Sequence, residues 1–379
     1  MLTKNNRTKT LVAGLFALAC LQALPAAATL FSAVLPSSRS VEIGVTATAF
    51  ATILNTADVD AENCSIAPVS VVDAGFFYQT TNSLTNEVTG SPNTPVTIPA
   101  NSSQSFVIGM TPNSDFPAFN VAFNFTCSTG TAPSSPGINT LLLSGNSSPV
   151  ADVVAVAVTL SQDGIANLPR DNIFGLVALA TTNVGAAATI TARPVDLAGL
   201  DGFLRICETN QDTSDCLEPL TEETTGLLGA DETRTYSVFI SAATRIFLDA
   251  TNRRTAIEFV DEFGNVRGST SVAIQGGGPS ALTFFTDNIA DQVLQNNCTE
   301  CHVQGGTAQD TALVFQIDEI TGYQENNFMV VGAYLNSSPE NANMLINLPL
   351  GMNGHPQIIQ QDSFVVSFLM EFIDLFNTE

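Results

Sequence analysis

Tryptophan is absent from this 379-residue chain, histidine occurs twice, and lysine and arginine together number 12 against 36 aspartates and glutamates. Each scarcity excludes something. A net charge of −24 offers no basic surface for phosphate neutralisation, so nucleic acid is excluded as a partner and basic protein surfaces are favoured. Two histidines give little room for a Ser/His/Asp triad, and no G-x-S-x-G elbow or EF-hand loop is present. Glu222-Glu223 and Asp231-Glu232 sit beside turn residues and read as solvated faces rather than catalytic pairs. No residue is therefore assigned a catalytic role. Long apolar runs are missing too. The stretch 11–24 falls short of the roughly 18 residues a spanning helix needs, and the run 364–376 carries Glu371 and Asp374. A mature chain without a transmembrane segment is expected.

Both lysines, Lys4 and Lys9, lie with Arg7 ahead of that short apolar stretch, which ends in Pro25-Ala26-Ala27-Ala28. Basic start, apolar middle and small-residue end read as a signal peptide over residues 1–28. Its removal leaves nine arginines, no lysine and a charge of −27. The expected destination is the bacterial periplasm, or the cell surface and beyond. Ala17-Leu18-Ala19-Cys20 loosely resembles a lipoprotein cleavage box, but Ala17 and Leu21 depart from it, and anchoring through Cys20 is not expected.

From residue 29 to about 275, short runs rich in Val, Ile, Thr, Phe and Ala are broken every 8 to 12 residues by turn-forming clusters, the pattern of antiparallel sandwiches. Strands are expected within 41–54, 105–110, 120–127, 150–160, 187–195 and 235–241, with a hairpin over 255–274 turning at Asp261-Glu262-Phe263-Gly264-Asn265. The Ser144-Gly145-Asn146-Ser147-Ser148-Pro149 cluster divides the region into sandwiches over 29–147 and 148–275. Both resemble immunoglobulin-like sandwiches in strand spacing, without the buried tryptophan. Residues 276–280, opening Gly276-Gly277-Gly278, read as a linker. Beyond it, Phe284, Phe285, Ile289, Val293 and Leu294, and later Phe364, Val365, Phe368, Leu369, Phe372, Ile373 and Phe376, recur at helical spacing, so a small, mainly α domain is expected over 281–379.

Six cysteines follow the signal peptide. Pairing Cys64 with Cys127 and Cys207 with Cys216 keeps each bridge within one sandwich, and an exported chain should not leave them as thiols. In the chain-entropy picture the longer bridge stabilises by roughly 4 kcal/mol and the shorter by roughly 2.7 kcal/mol.

The other two lie in Cys298-Thr299-Glu300-Cys301-His302. C-x-x-C-H is the attachment sequence of c-type haem: two sulfurs reach one porphyrin edge, and the adjoining imidazole is brought to the iron. One covalently attached haem c is expected, on Cys298 and Cys301 with His302 as proximal ligand. Competing readings are a plain disulfide, a thioredoxin-like couple, for which the βαβ context is missing, and a zinc site of Cys298, Cys301, His302 and His355. In the last, adjacent Cys301 and His302 would have difficulty ligating one tetrahedral ion.

At these residues the last hundred or so positions resemble the class I c-type cytochromes: an aromatic-rich helix leads into Cys298 to His302, and a terminal helix packs back on it. The 77 residues after His302 set the chain apart from class II, where the motif lies near the C-terminus. The resemblance implies a methionine as sixth ligand in the loop before the last helix. That loop, Leu350-Gly351-Met352-Asn353-Gly354-His355-Pro356, offers His355 as the leading candidate and Met352 as an alternative, with Met344 upstream. The expected fold class is two all-β sandwiches followed by a small, mainly α cytochrome c domain.

From residue 280 onward there are 12 acids and no Lys or Arg. This field disfavours the added electron and steers basic redox partners. The expected function is single-electron transfer by an exported monohaem c-type cytochrome, with the sandwiches as spacers or docking modules. The alternative is a surface or periplasmic binding or adhesion protein whose haem is auxiliary or sensory. Peroxidase activity would need an open iron position.

Overall fold

The computed structural model describes residues 30–378. The signal-peptide reading and Cys20 lie outside them. Ten strands build the first sandwich: β1 (Leu30–Leu35), β2 (Ser38–Glu42), β3 (Ala47–Asn55), β4 (Ala61–Pro68), β5 (Ala74–Thr81), β6 (Val96–Ile98), β7 (Ser102–Pro112), β8 (Phe116–Cys127), β9 (Gly130–Ala132) and β10 (Thr140–Asn146). One sheet runs β1-β3-β7-β5; the other runs β2-β10-β8-β4-β6, with β9 on β8. Along β3 the alternation is strict: Ala47, Ala49, Ala51 and Ile53 face a core that Phe106, Ile108, Phe123, Phe125 and Leu141 fill from both sheets.

The second sandwich repeats this topology. Its strands are β11 (Val153–Thr159), β12 (Ile165–Leu168), β13 (Gly175–Asn183), β14 (Ala188–Asp196), β15 (Leu204–Thr209), β16 (Thr224–Leu228), β17 (Thr233–Ile240), β18 (Arg254–Asp261) and β19 (Val266–Gly276). The sheets run β11-β13-β17-β15 and β12-β19-β18-β14-β16. Each unit has the same parallel edge pair, β2 on β10 and β12 on β19, while the remaining neighbours on these paths are antiparallel. The expected hairpin is β18–β19. The expected strand over 41–54 is divided into β2 and β3 by a turn at Gly44, where φ is +81°.

Both expected disulfides are formed, Cys64–Cys127 and Cys207–Cys216. The two sandwiches meet at Asp152, whose carboxylate accepts from Arg39 Nε and from the Ser40 backbone N–H, each at 2.9 Å. Burial pushes the Asp152 pKa up despite the Arg39 charge beside it. Ser37 and Ser38 donate to the Ser269 carbonyl across the same junction.

Helices follow: α1 (Ala281–Phe284), a π-helix (Phe285–Cys298), α2 (Tyr323–Ser337), α3 (Asn341–Asn347) and α4 (Phe364–Asn377). The expected fold class is corrected here. Among the described residues strands make up 42% and helix 16%, in several sheets, and a small, mainly α cytochrome c domain at the C-terminus is not seen. The physical reason is local. Apolar recurrence marks where helical faces are buried but not what joins them, and residues 299–322 are turns and irregular backbone, with Gly305 and Gly322 at positive φ.

The triglycine is pinned rather than loose. Gly276, Gly277 and Gly278 all take positive φ; Gly277 N donates to Leu168 O at 2.9 Å and Gly278 N to Ala242 O at 3.0 Å. A Cβ on Gly278 would meet Arg245 N at 2.8 Å, so glycine serves close approach there. Arg245 then reaches Asp374 of α4, and Arg170 reaches Thr378 and the Pro279 carbonyl, holding the C-terminal segment against the second sandwich.

Candidate functional site

Phe285, Ile289, Leu294 and Cys298 succeed one another at four- or five-residue steps along the π-helix, close to the i→i+5 winding of its backbone. Winding of this kind lines them up on the buried side, where Phe285 packs on Phe328 and Phe372. Thr299 N closes the helix on Leu294 O at 3.0 Å. The next turn is compact: Cys301 N and His302 N both donate to Cys298 O, at 3.3 and 2.9 Å, and Ala308 N donates to Cys301 O at 3.0 Å.

Cys298 and Cys301 are both free thiols, so the plain-disulfide reading is not what the structure contains. Cys298 is turned inward, and burial, with Cys301 beside it, pushes its pKa up to about 12. Cys301 is exposed. Among the described residues no three His, Cys, Asp or Glu side chains gather as a metal site, so the four proposed zinc ligands do not converge.

Instead, Cys298 and His302 open onto a cleft with a cavity volume of about 60 Å³, partly open to solvent. Its walls are Val293 and Leu294 of the π-helix, Met344 and Leu345 of α3, Val365 and Leu369 of α4, and Leu313, Phe315, Leu348, Pro349, Ile358 and Ile359 from irregular backbone. An apolar lining with a few polar side chains among it suits a largely apolar ligand.

Those polar side chains are Asn297, Cys298 and the two imidazoles. His302 Nδ1 lies 2.8 Å from Leu313 O, and His355 Nδ1 lies 2.7 Å from Pro356 O. A carbonyl only accepts, so each Nδ1 carries the ring proton and each Nε2 presents its lone pair. The backbone around His302 is anchored as well, Phe315 N donating to His302 O at 2.7 Å. The ring centres of His302 and His355 are 6.1 Å apart and their planes 19° from parallel.

The structure thus brings Cys298, His302, His355 and Met344 to one cleft. Cys301, which is exposed, and Met352, 51% exposed, are both outside the lining. Gly351, at φ +92°, starts the tight turn that places Met352 outward. The sequence reading missed Thr311 and Leu313, which fix the His302 ring, and the wall residues Leu348, Pro349, Ile358 and Ile359 that flank the loop it named. A cluster of Leu, Pro and Ile between two polar stretches was its available signal.

No protein-family model matches the chain, and no curated protein matches it. Among solved structures, similar ones are a family 123 glycoside hydrolase from Clostridium perfringens (10% identity, 38% of this chain and 30% of that one, TM-score 0.23) and a secreted serine protease from Vibrio cholerae (10%, 53% and 44%, 0.18). A third is a β-glucosidase from Listeria innocua (13% identity, 34% and 16%, 0.17). The chain spans less than half the length of each. At these TM-scores the likeness assigns neither fold nor function.

Among the described residues no helix is long and apolar enough to cross a membrane.

Proposed function

We propose that the C-terminal segment would hold one haem c through Cys298 and Cys301, with His302 as a ligand to its iron, and that the protein passes single electrons outside the cytoplasm. The observation that carries this reading is the cleft itself: an apolar chamber next to a C-x-x-C-H turn, with His302 held in the tautomer that offers Nε2. When bound, haem supplies a reversible one-electron store.

The chain's own residues do the rest. Cys298 and Cys301 would provide the two sulfurs, each thiol S–H adding across one porphyrin vinyl C=C so that nothing is released. The Leu313 carbonyl accepts a hydrogen bond from the His302 Nδ1–H, which orients the ring and makes Nε2 a better donor. Val293, Leu345, Ile359 and Leu369 exclude water, which favours the less charged reduced state, while the acids of the segment oppose it and attract a basic partner protein. The two disulfides suit an oxidising, exported setting.

The test is expression of the full chain in a host that matures c-type haem. The expected product is red, heavier than apoprotein by one haem, gives a thioether-type pyridine haemochrome and reduces reversibly. The double variant Cys298→Ser/Cys301→Ser should lose covalent attachment. Colourless wild-type protein at apoprotein mass would overturn the reading.

A second reading, a binding or adhesion protein with an auxiliary haem, has one observation in its favour. On the outer face of the first sandwich, Phe31 faces Leu54 and Leu35 faces Phe50 across β1 and β3, and all four are exposed. Partner binding that survives haem loss would favour it.

A further inference from the structure

We infer that His355 occupies the second axial position opposite His302, giving a closed bis-imidazole site rather than a thioether-ligated or open one; this rests on the haem reading above. Three observations carry it. First, His355 and His302 are the chain's two histidines, and the fold brings them from positions 53 residues apart to face one cleft. Second, their separation suits an ion between them. A metal–imidazole bond is about 2 Å and the ring centre lies about 1 Å beyond the nitrogen, so rings on opposite sides of one ion have centres about 6 Å apart. The observed spacing is 6.1 Å, with planes 19° from parallel.

Third, His355 is prepared for the role. Its Nδ1 is committed to the Pro356 carbonyl and its backbone N–H to Met352 O at 3.1 Å, so ring and loop are held with Nε2 as the remaining lone pair. His302 shows the same arrangement with Leu313. Of the competing sulfurs, Met352 is outside the cleft and Met344 lies in the wall of apolar side chains contributed by α3. A site filled by two neutral imidazoles has no vacant position for peroxide or a gaseous ligand, so it favours electron transfer without substrate turnover.

The experiment uses the full-length matured protein and three variants: His355→Gly, His355→Met and Met344→Leu. Covalent haem is first established by mass and pyridine haemochrome. Its absence in wild type would defeat the haem reading and this inference together, whereas its presence isolates the axial question. The expected wild-type and Met344→Leu spectra are low-spin with no sulfur-to-iron band at the red edge, and neither protein takes up carbon monoxide rapidly when reduced. His355→Gly should lose the low-spin signature and bind carbon monoxide, and added imidazole should restore the wild-type spectrum. His355→Met keeps a bulky donor and should gain the red-edge band if the loop folds. A red-edge band in wild type that disappears in Met344→Leu would overturn the assignment. So would a high-spin resting spectrum that His355→Gly leaves unchanged.

Discussion

A Cβ added to Gly306 would lie 2.4 Å from the carbonyl oxygen of Cys301, inside the turn that carries the second cysteine and His302. The atom it meets is backbone, so relief requires moving the turn itself. Gly306→Ala is expected to destabilise this segment by about 1–3 kcal/mol, the usual cost of overpacking, and to lower the fraction of chains carrying haem. Gly305 has open space but φ +82°, so Gly305→Ala should cost only about 1 kcal/mol through its left-handed backbone. Thermal unfolding and haem-to-protein ratio check both. Equal, wild-type behaviour of the two variants would mean that the turn is not held as described.

Arg245 Nη1 donates to Asp374 Oδ2 at 2.6 Å, and its guanidinium lies over the Phe247 ring. Asp374 is 63% exposed, which places the pair among surface ion pairs worth about 0–1 kcal/mol. Arg245→Ala is therefore expected to leave global stability almost unchanged while raising amide exchange in the last turn of α4. High salt should produce a similar change in wild type, because an exposed pair is screened. A large drop in unfolding free energy would show that the contact matters far more than its exposure implies.

Much of the β architecture could be read from alternation alone, because a strand such as β3 buries every second residue in a way composition makes visible. The cysteine pairing was legible for a related reason: each bridge closes within one sandwich. The duplicated topology was not, since sheet order repeats while the side chains do not; even the disulfides fall in different places in the two units. The triglycine read as a flexible joint because composition cannot show that Gly277 and Gly278 hydrogen-bond to the second sandwich. In the C-terminal segment the apolar pattern located buried faces, yet it could not separate α from π winding or foresee the irregular backbone after Cys301. The candidate site divided likewise. Cys298, His302 and His355 were marked by their scarcity and spacing, whereas Leu313 acts through a carbonyl oxygen that any residue would supply.

The four tyrosines all hold their protons more tightly than a free phenol. Burial raises Tyr78 and Tyr334; burial, reinforced by the Glu208 charge, pushes Tyr236 up to about 12; and the hydrogen bond to Asp291 pushes the Tyr323 hydroxyl up to about 12. A raised pKa means that between the ordinary value near 10 and the folded value the native state binds more protons than the unfolded one. For Tyr236 and Tyr323 this contribution to stability is present in full below pH 10 and is lost as pH rises through about 12. Tyrosinate absorbance of the folded protein should therefore lag that of the urea-unfolded chain, with Tyr236→Phe and Tyr323→Phe each removing part of the late rise. Coincident titrations of folded and unfolded protein would contradict these environments.

Asn55 and Asn183 end β3 and β13, the equivalent strands of the two sandwiches, and both are fully buried. Asn55 Nδ2 donates to the carbonyls of Val59, Ile98 and Pro99, and its Oδ1 accepts from Ala57 N. Asn183 Nδ2 donates to Ala186, Leu228 and Gly229, and its Oδ1 accepts from Gly185 N and Asp152 N. Each amide thus ties a strand end to two loops through backbone groups with little access to water. Truncation leaves those groups without partners, so Asn55→Ala and Asn183→Ala should each cost about 2–4 kcal/mol. The losses should be local. Asn55→Ala should lower exchange protection around β3, β4 and β6, and Asn183→Ala around β13, β14 and β16. Because Asn183 also holds Asp152 at the junction, its loss alone should loosen the Arg39 contact between the sandwiches. Equal effects of both variants on that junction would count against the distinction.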